Sequence, residues 1–165
     1  MLVFNKFYIF NTKMNYQTNI NTNANCALFN NCWKKINVKE KFENPGFKAA
    51  HSAEIINNKM YVFGGWNGKK ALSDLHIFDF NKLEWTEPEV SGSKPGLRNN
   101  HATCVYNEYM YLHGGHNGEI WQDDLYILDS NRLIWNKIDS NLTVRYDMFF
   151  NLNFLRYLLQ ELVIH

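Results

Sequence analysis

Four of the six histidines are placed where chemistry is conceivable. His51 and His101 stand fifty residues apart, and His113 and His116 flank a Gly-Gly step. Imidazole is the commonest metal ligand and a frequent general base. A zinc site needs three or four ligands, however, and no third ligand sits beside His113 and His116. His51 and His101 recur at one position of a repeated pattern, which points to a repeated packing problem, met by a hydrogen bond near the axis of the fold. The cysteines are Cys26, Cys32 and Cys104, an odd count with neither CxxC nor zinc-type spacing. Cys104 lies in an apolar alternating run and reads as a small core residue. Ser52, Ser73, Ser91 and Ser93 lack a nucleophile signature, and no phosphate-binding or dinucleotide glycine motif occurs. The expectation is therefore no catalytic residue, no metal and no cofactor.

Charge excludes a further class. The net charge of +1 is unevenly spread: residues 1–45 carry +4, residues 46–139 carry −3, and residues 140–165 balance at zero. A mildly acidic middle is a poor footprint for nucleic acid. The opening "MLVFNKFYIF" is apolar but about half the roughly 20 residues a membrane span needs. Lys6 interrupts it and no small-residue cleavage site follows, so it reads as neither anchor nor leader. Residues 1–31 read as a disordered, Asn-rich low-complexity tail, on the strength of "NTKMNYQTNINTNANCALFNN". Reduced thiols point to a cytoplasmic chain.

The elements that would position any site come from a repeat. Residues 46–88 overlay residues 96–138 without a gap, and 16 of the 43 positions are identical. Self-similarity held at one offset marks a repeat architecture. Each copy contains four short runs rich in β-branched and aromatic residues: "HSAEII", "KMYVFGG", "DLHIFDF" and "LEWTEPEV" in the first. Turn residues separate them, and no helical stripe interrupts them. Four antiparallel strands per fifty residues is the anatomy of a propeller blade. Small residues (Ala49, Ala50, Ser52, Ala53) suit the innermost strand of a tapering blade. Gly64-Gly65 and Gly114-Gly115 end the second strand, where a sharp exit favours glycine. Trp85 and Trp135 open the outer strand and can spread between neighbouring sheets.

The motifs "GGWNGKKALSDLHIFDFNKLEW" and "GGHNGEIWQDDLYILDSNRLIW" resemble the kelch repeats, over about residues 43–139. Phe78 and Leu128 stand where that family usually has Tyr. The resemblance implies an all-β fold, a partial, unclosed kelch-type β-propeller with two complete four-stranded antiparallel blades. Residues 43–92 and 93–140 form the repeats. Residues 32–42, with Trp33 in "CWKKI", read as the outer strand of a preceding blade, and Leu155, Leu158, Leu159 and Leu162 mark a short amphipathic helix within a non-kelch tail, 141–165. Two blades cannot close a ring, so the chain reads as a fragment whose remaining blades lie elsewhere.

Blade geometry gathers one set of loops at one end. "FKAAH" and "GGWNGK" meet there from the first copy, "LRNNH" and "GGHNGEIW" from the second. Lys48, Trp66, Arg98, Asn99, His116 and Trp121 therefore form a candidate rim for binding a protein partner, since exposed Trp and Arg are enriched at interface hot spots. In the alternative, Arg98 pairs with a neighbouring carboxylate, and Asn67 and Asn117 serve their turns. The resemblance implies a non-catalytic interaction module, scaffold or adaptor. The other reading is a regulatory part of a larger enzyme, such as a kelch-containing phosphatase or ubiquitin-ligase adaptor.

Overall fold

The computed structural model describes residues 7–10, 33–36, 38 and 45–139. Eleven strands are found among them: β1 (Phe7–Phe10), β2 (Trp33–Ile36), β3 (Ser52–Ile56), β4 (Lys59–Trp66), β5 (Ala71–Asp79), β6 (Glu84–Thr86), β7 (Ser91–Gly92), β8 (Ala102–Tyr106), β9 (Tyr109–His116), β10 (Trp121–Asp129) and β11 (Ile134–Ile138). The first repeat forms the sheet β3-β4-β5-β6 and the second the sheet β8-β9-β10-β11, each antiparallel throughout. Among the described residues the sheets are not closed into a ring, so the fold is an all-β partial propeller. The second sheet departs from four strands in one respect. The linker between the repeats runs along its outer edge as β7, parallel to β11. Ser91 and Ser93 donate to the carbonyls of Leu133 and Trp135, which occupies backbone groups that an open edge would leave bare.

Turn chemistry explains much of what the two copies share. Asp79 Oδ1 accepts the amides of Asn81 and Lys82, and Asp129 Oδ1 accepts those of Asn131 and Arg132. Such side-chain caps replace a backbone turn. Leu83 and Leu133 follow in the left-handed region, and both pack their side chains inward.

The core lies between the blades. Ile56, Tyr61, Phe63, Leu75 and Ile77 of the first blade meet Met110, Leu112, Tyr126, Leu128 and Trp135 of the second. Phe63 sets its ring edge-on to Trp135, centroids 5.4 Å apart. At about 25 cal/mol per Å² of apolar surface, this shared layer is what a single blade lacks. The inner strands add polar ties: Ser52 Oγ lies 2.8 Å from His101 Nε2, and Thr103 Oγ1 donates to Glu54 Oε1 at 2.7 Å.

A third unit precedes these two. β1 pairs antiparallel with β2, Phe10 opposite Trp33. That is the register of Phe78 opposite Trp85 and Leu128 opposite Trp135. β1 and β2 form a two-stranded sheet with the register of the third and fourth strands of the two blades. Twenty-three residues separate Phe10 from Trp33, where seven separate the partners in each later copy. The expectation of disorder over 1–31 is corrected at Phe7–Phe10. Part of the apolar run there forms a strand. The remainder of 1–31, and the helix expected within 141–165, fall outside the described residues.

Ala50, like Leu83 and Leu133, holds a left-handed backbone without a polar side chain. Ala50 has φ 52°, and its counterpart Asn100 has φ 53°. Asparagine tolerates this region; a β-carbon without a polar partner does so at a cost of about 1–2 kcal/mol. Ala50→Asn should raise the urea midpoint, corresponding to about 1 kcal/mol, and an unchanged midpoint would show the strain to be relieved elsewhere.

Candidate functional site: the loop rim

The exit of β4, the entry of β5 and the segment leading into β3 converge at one end of the first blade. Ala49 and Trp66 exchange backbone hydrogen bonds of 2.9 and 2.7 Å. Asn99 and His116 do the same in the second blade, at 3.0 and 2.9 Å. The six residues expected at the rim therefore do lie on one end of the sheets, but in different roles.

Lys48 and Arg98 are corrected as contact residues, because both are buried. Arg98 has no exposed side chain. It reaches Asp124 with two nitrogens, at 2.7 and 3.2 Å, donates to the carbonyls of Gly114 and Gly96 at 2.9 and 3.1 Å, and lies over the Tyr126 ring at 5.2 Å. Lys48 repeats the arrangement in the first blade with one bond, 2.6 Å to Asp74. Burial by itself would raise the Asp124 carboxyl, but the guanidinium beside it holds it below the usual range. Burial lowers Lys48, and the Asp74 carboxylate opposes that.

The Arg98 backbone serves the other blade. Its amide donates to Leu72 O at 2.8 Å and its carbonyl accepts from Gly65 N at 2.9 Å. Arg98 is a staple, backbone on one sheet and side chain on the next. Asn99 is buried too, its Nδ2 on His116 O at 3.0 Å and its Oδ1 accepting from Asn100 at 2.6 Å.

What remains accessible includes several large apolar side chains. Trp121 is 59% exposed and Ile120 62%, with Phe47 and Leu97, one repeat apart, also exposed. Trp66 and His116 are half-buried. Sequence reasoning overlooked Phe47, Leu97 and Ile120; the signal available was an apolar side chain at a loop position in both copies, Phe47 over Leu97. The supporting turns are capped by asparagine side chains. Asn67 Oδ1 accepts the amides of Lys69 and Lys70, and Asn117 Oδ1 those of Glu119 and Ile120, all at 2.8–3.0 Å. His116 Nδ1 accepts from Gly118 N at 3.1 Å, and its ring stands edge-on to Trp121 at 5.0 Å. Trp121 is held in place without being covered.

The structural positions lie where a side chain would collide or a large ring must fit. A β-carbon on Gly64 would meet Arg98 O at 2.7 Å, one on Gly65 Ala49 O at 2.9 Å, one on Gly114 Gln122 O at 3.1 Å, and one on Gly115 Asn99 O at 2.8 Å. Trp85 and Trp135 are fully enclosed. Among the described residues no three His, Cys, Asp or Glu side chains group as metal ligands, and no helix is long and apolar enough to cross a membrane.

Buried histidines make the fold pH-sensitive. Burial, with the Arg98 charge, depresses His101 to about 3; burial, with the Lys48 charge, depresses His76 to about 4. Both lie below the unfolded value near 6.5. The folded state therefore holds them neutral, and their contribution is fully present above pH 6.5. It is lost as pH falls toward 4 and 3, by about 1 kcal/mol per pH unit per histidine. Urea midpoints should fall from pH 7 to pH 5, and His101→Gln should flatten that slope. Equal slopes would mean His101 takes up its proton without unfolding the chain.

Comparison with known proteins agrees with this geometry. Residues 1–147 match the family model described as "KLHDC2/KLHL20/DRC7 Kelch-repeats domain". The Rab9 effector protein with kelch motifs of Mus musculus is 47% identical over 45 residues, 26% of this chain and 12% of that protein. Kelch domain-containing protein 10 of Xenopus tropicalis is 38% identical over 60 residues, 34% and 14% of the two chains. Rho GTPase-activating protein gacHH of Dictyostelium discoideum is 29% identical over 73 residues, 40% of this chain and 5% of that one. The matched stretch is thus a small part of each relative.

Proposed function

We propose a binding role from one premise: the chain belongs to the kelch-repeat family, whose domains are generally protein–protein interaction modules. The role is that of a non-catalytic scaffold or adaptor that grips a partner protein through the loop rim, in the cytoplasm. The observation that carries it is Trp121, open to solvent yet fixed by His116 and by the Asn117 turn. A pre-ordered aromatic loses little freedom when a partner covers it. Ile120, Trp66, Phe47 and Leu97 extend the apolar surface. Lys48, Arg98 and Asn99 act from beneath, holding the loops.

The test is capture from lysate with three baits: the whole chain, Trp121→Ala, and Lys59→Ala at the opposite end of the sheets. Truncating a hot spot costs about 2 kcal/mol or more, so Trp121→Ala should lose at least about 30-fold in partner yield, with Lys59→Ala unchanged. The same partners at the same yield for all three baits would remove the rim from consideration.

A second reading has its own support. The relatives are far longer than the matched stretch, and one is named a Rho GTPase-activating protein. A kelch unit of this kind can serve as the regulatory part of a larger enzyme. Sequencing the transcript on both sides of these residues decides between the two, by showing whether a catalytic domain is joined to the blades.

A further inference from the structure

Each blade carries an Asn-Gly pair in an open turn, Asn67-Gly68 in the first and Asn117-Gly118 in the second. Both glycines are exposed, and a β-carbon on either would meet nothing within 4 Å. Such a pair holds an electrophile and a nucleophile side by side: the glycine amide nitrogen can close a ring on the side-chain carbonyl carbon of the asparagine before it. Two things assist that closure. Donors on the carbonyl oxygen stabilise the charge that develops there, and a positioned base takes the amide proton. Both turns have the donors. Asn67 Oδ1 accepts from the Lys69 and Lys70 amides at 3.0 and 2.9 Å, and Asn117 Oδ1 from the Glu119 and Ile120 amides at 2.8 and 2.9 Å. Only the second turn has the base. The Gly118 amide donates to His116 Nδ1 at 3.1 Å, so the imidazole faces the proton that ring closure must release. Trp66 stands at that position in the first copy, and an indole N–H is a donor only.

We infer that Asn117 is a self-modification site, where His116 acts as general base and the asparagine loses its side-chain nitrogen as ammonia. In the first step Gly118 N bonds to Asn117 Cγ while its proton passes to His116 Nδ1. Negative charge collects on Oδ1, under the Glu119 and Ile120 amides. In the second step the carbonyl re-forms, the Cγ–Nδ2 bond breaks, and His116 returns the proton to the departing nitrogen, which leaves as ammonia. Water then opens the cyclic imide at either carbonyl and gives aspartate or isoaspartate at position 117. No electron is transferred, and water is the sole co-reactant. The aspartate product keeps an oxygen for both turn amides and adds a negative charge to the loop that carries Ile120 and Trp121. The isoaspartate product routes the backbone through the former side-chain carbon, so the cap on Glu119 and Ile120 is lost. The reaction needs no partner and proceeds whether or not the rim binds one.

The first blade is a control within the same chain. Asn67 is exposed where Asn117 is half-buried, so solvent access alone favours the first site. The full chain is incubated at neutral pH, and peptide mapping by mass follows the exchange of amide for acid at each pair. Labelling by an isoaspartate methyltransferase identifies the isoaspartate. Asn117 should react at least about ten-fold faster than Asn67, a modest share of what a positioned base supplies. His116→Gln, which keeps an acceptor but no base, should bring Asn117 down to the Asn67 rate. In urea the two sites of the parent should converge, because the folded turn is what holds the imidazole on Gly118. Equal rates at the two sites of the folded chain overturn the inference. So does a His116→Gln chain that reacts as fast as the parent, since His116 would then hold the amide without accepting its proton. A difference that persists in urea also overturns it, because the flanking sequence would then be the cause. If His116→Gln loses its sheet spectrum, Trp66→His is read in its place: it should speed Asn67 at least about ten-fold, and an unchanged Asn67 rate overturns the inference.

Discussion

Arg98→Met should lower the stability of the chain by about 3 kcal/mol, the range found when one partner of a buried ion pair is removed. Methionine has a similar reach and fills the volume, so the loss is electrostatic. It leaves Asp124 without its two guanidinium bonds and Gly114 O without its donor. It also removes the charge that holds the Asp124 carboxyl ionised against burial. The double variant Arg98→Met, Asp124→Leu should recover much of the loss, because replacing both partners removes the stranded charge. Urea melts of the three proteins settle it. If Arg98→Met melts with the parent, the pair contributes nothing; if the double variant is the weakest of the three, the loss comes from packing.

This residue also shows where sequence reading stops. The offset of fifty places Arg98 over Lys48 and Asp124 over Asp74, so the pairs were present as two repeated charges of opposite sign. Spacing alone does not say that a loop cation turns inward. Arg and Trp were read alike as rim residues because both types are common at interfaces. The structure separates them by what each can reach: Arg98 finds a carboxylate on β10, whereas Trp121 stays 59% exposed against the edge of His116.

Strand content was legible because alternation and turn residues are local signals, and Trp85 and Trp135 declare the outer strands. β1 was not legible for a different reason. "FYIFN" matches "LHIFD" and "LYILD", but the Asn-rich stretch separates it from Trp33, and a fixed-offset search breaks where the spacing changes. β7 carries no sequence signature, since two residues suffice to pair with a strand already in place.

The second large effect is expected at Gly64. Gly64→Ala should cost about 3 kcal/mol, and Gly68→Ala, four residues on, about 1 kcal/mol. Both glycines have positive φ, 58° and 93°, so backbone strain is common to the two. The difference is space. At Gly64 a β-carbon would stand 2.7 Å from Arg98 O and 3.1 Å from Leu72 O, both backbone atoms, and 3.2 Å from the His101 ring. At Gly68 nothing lies within 4 Å. Relief at Gly64 requires the segment carrying Arg98 to retreat. That stretches the Gly65 N to Arg98 O bond and, with it, the contact that sets the second blade against the first. The cost therefore falls on blade docking as well as on one turn. The sign of that coupling can be read directly. Gly64→Ala should lower the whole-chain melting transition and blue-edge the near-UV signal of Trp135, which packs on Phe63 across the interface, whereas Gly68→Ala leaves that signal in place. Equal losses at the two positions would mean that positive φ alone sets the cost, and that the close approach of Arg98 to the glycine pair does not hold the blades together.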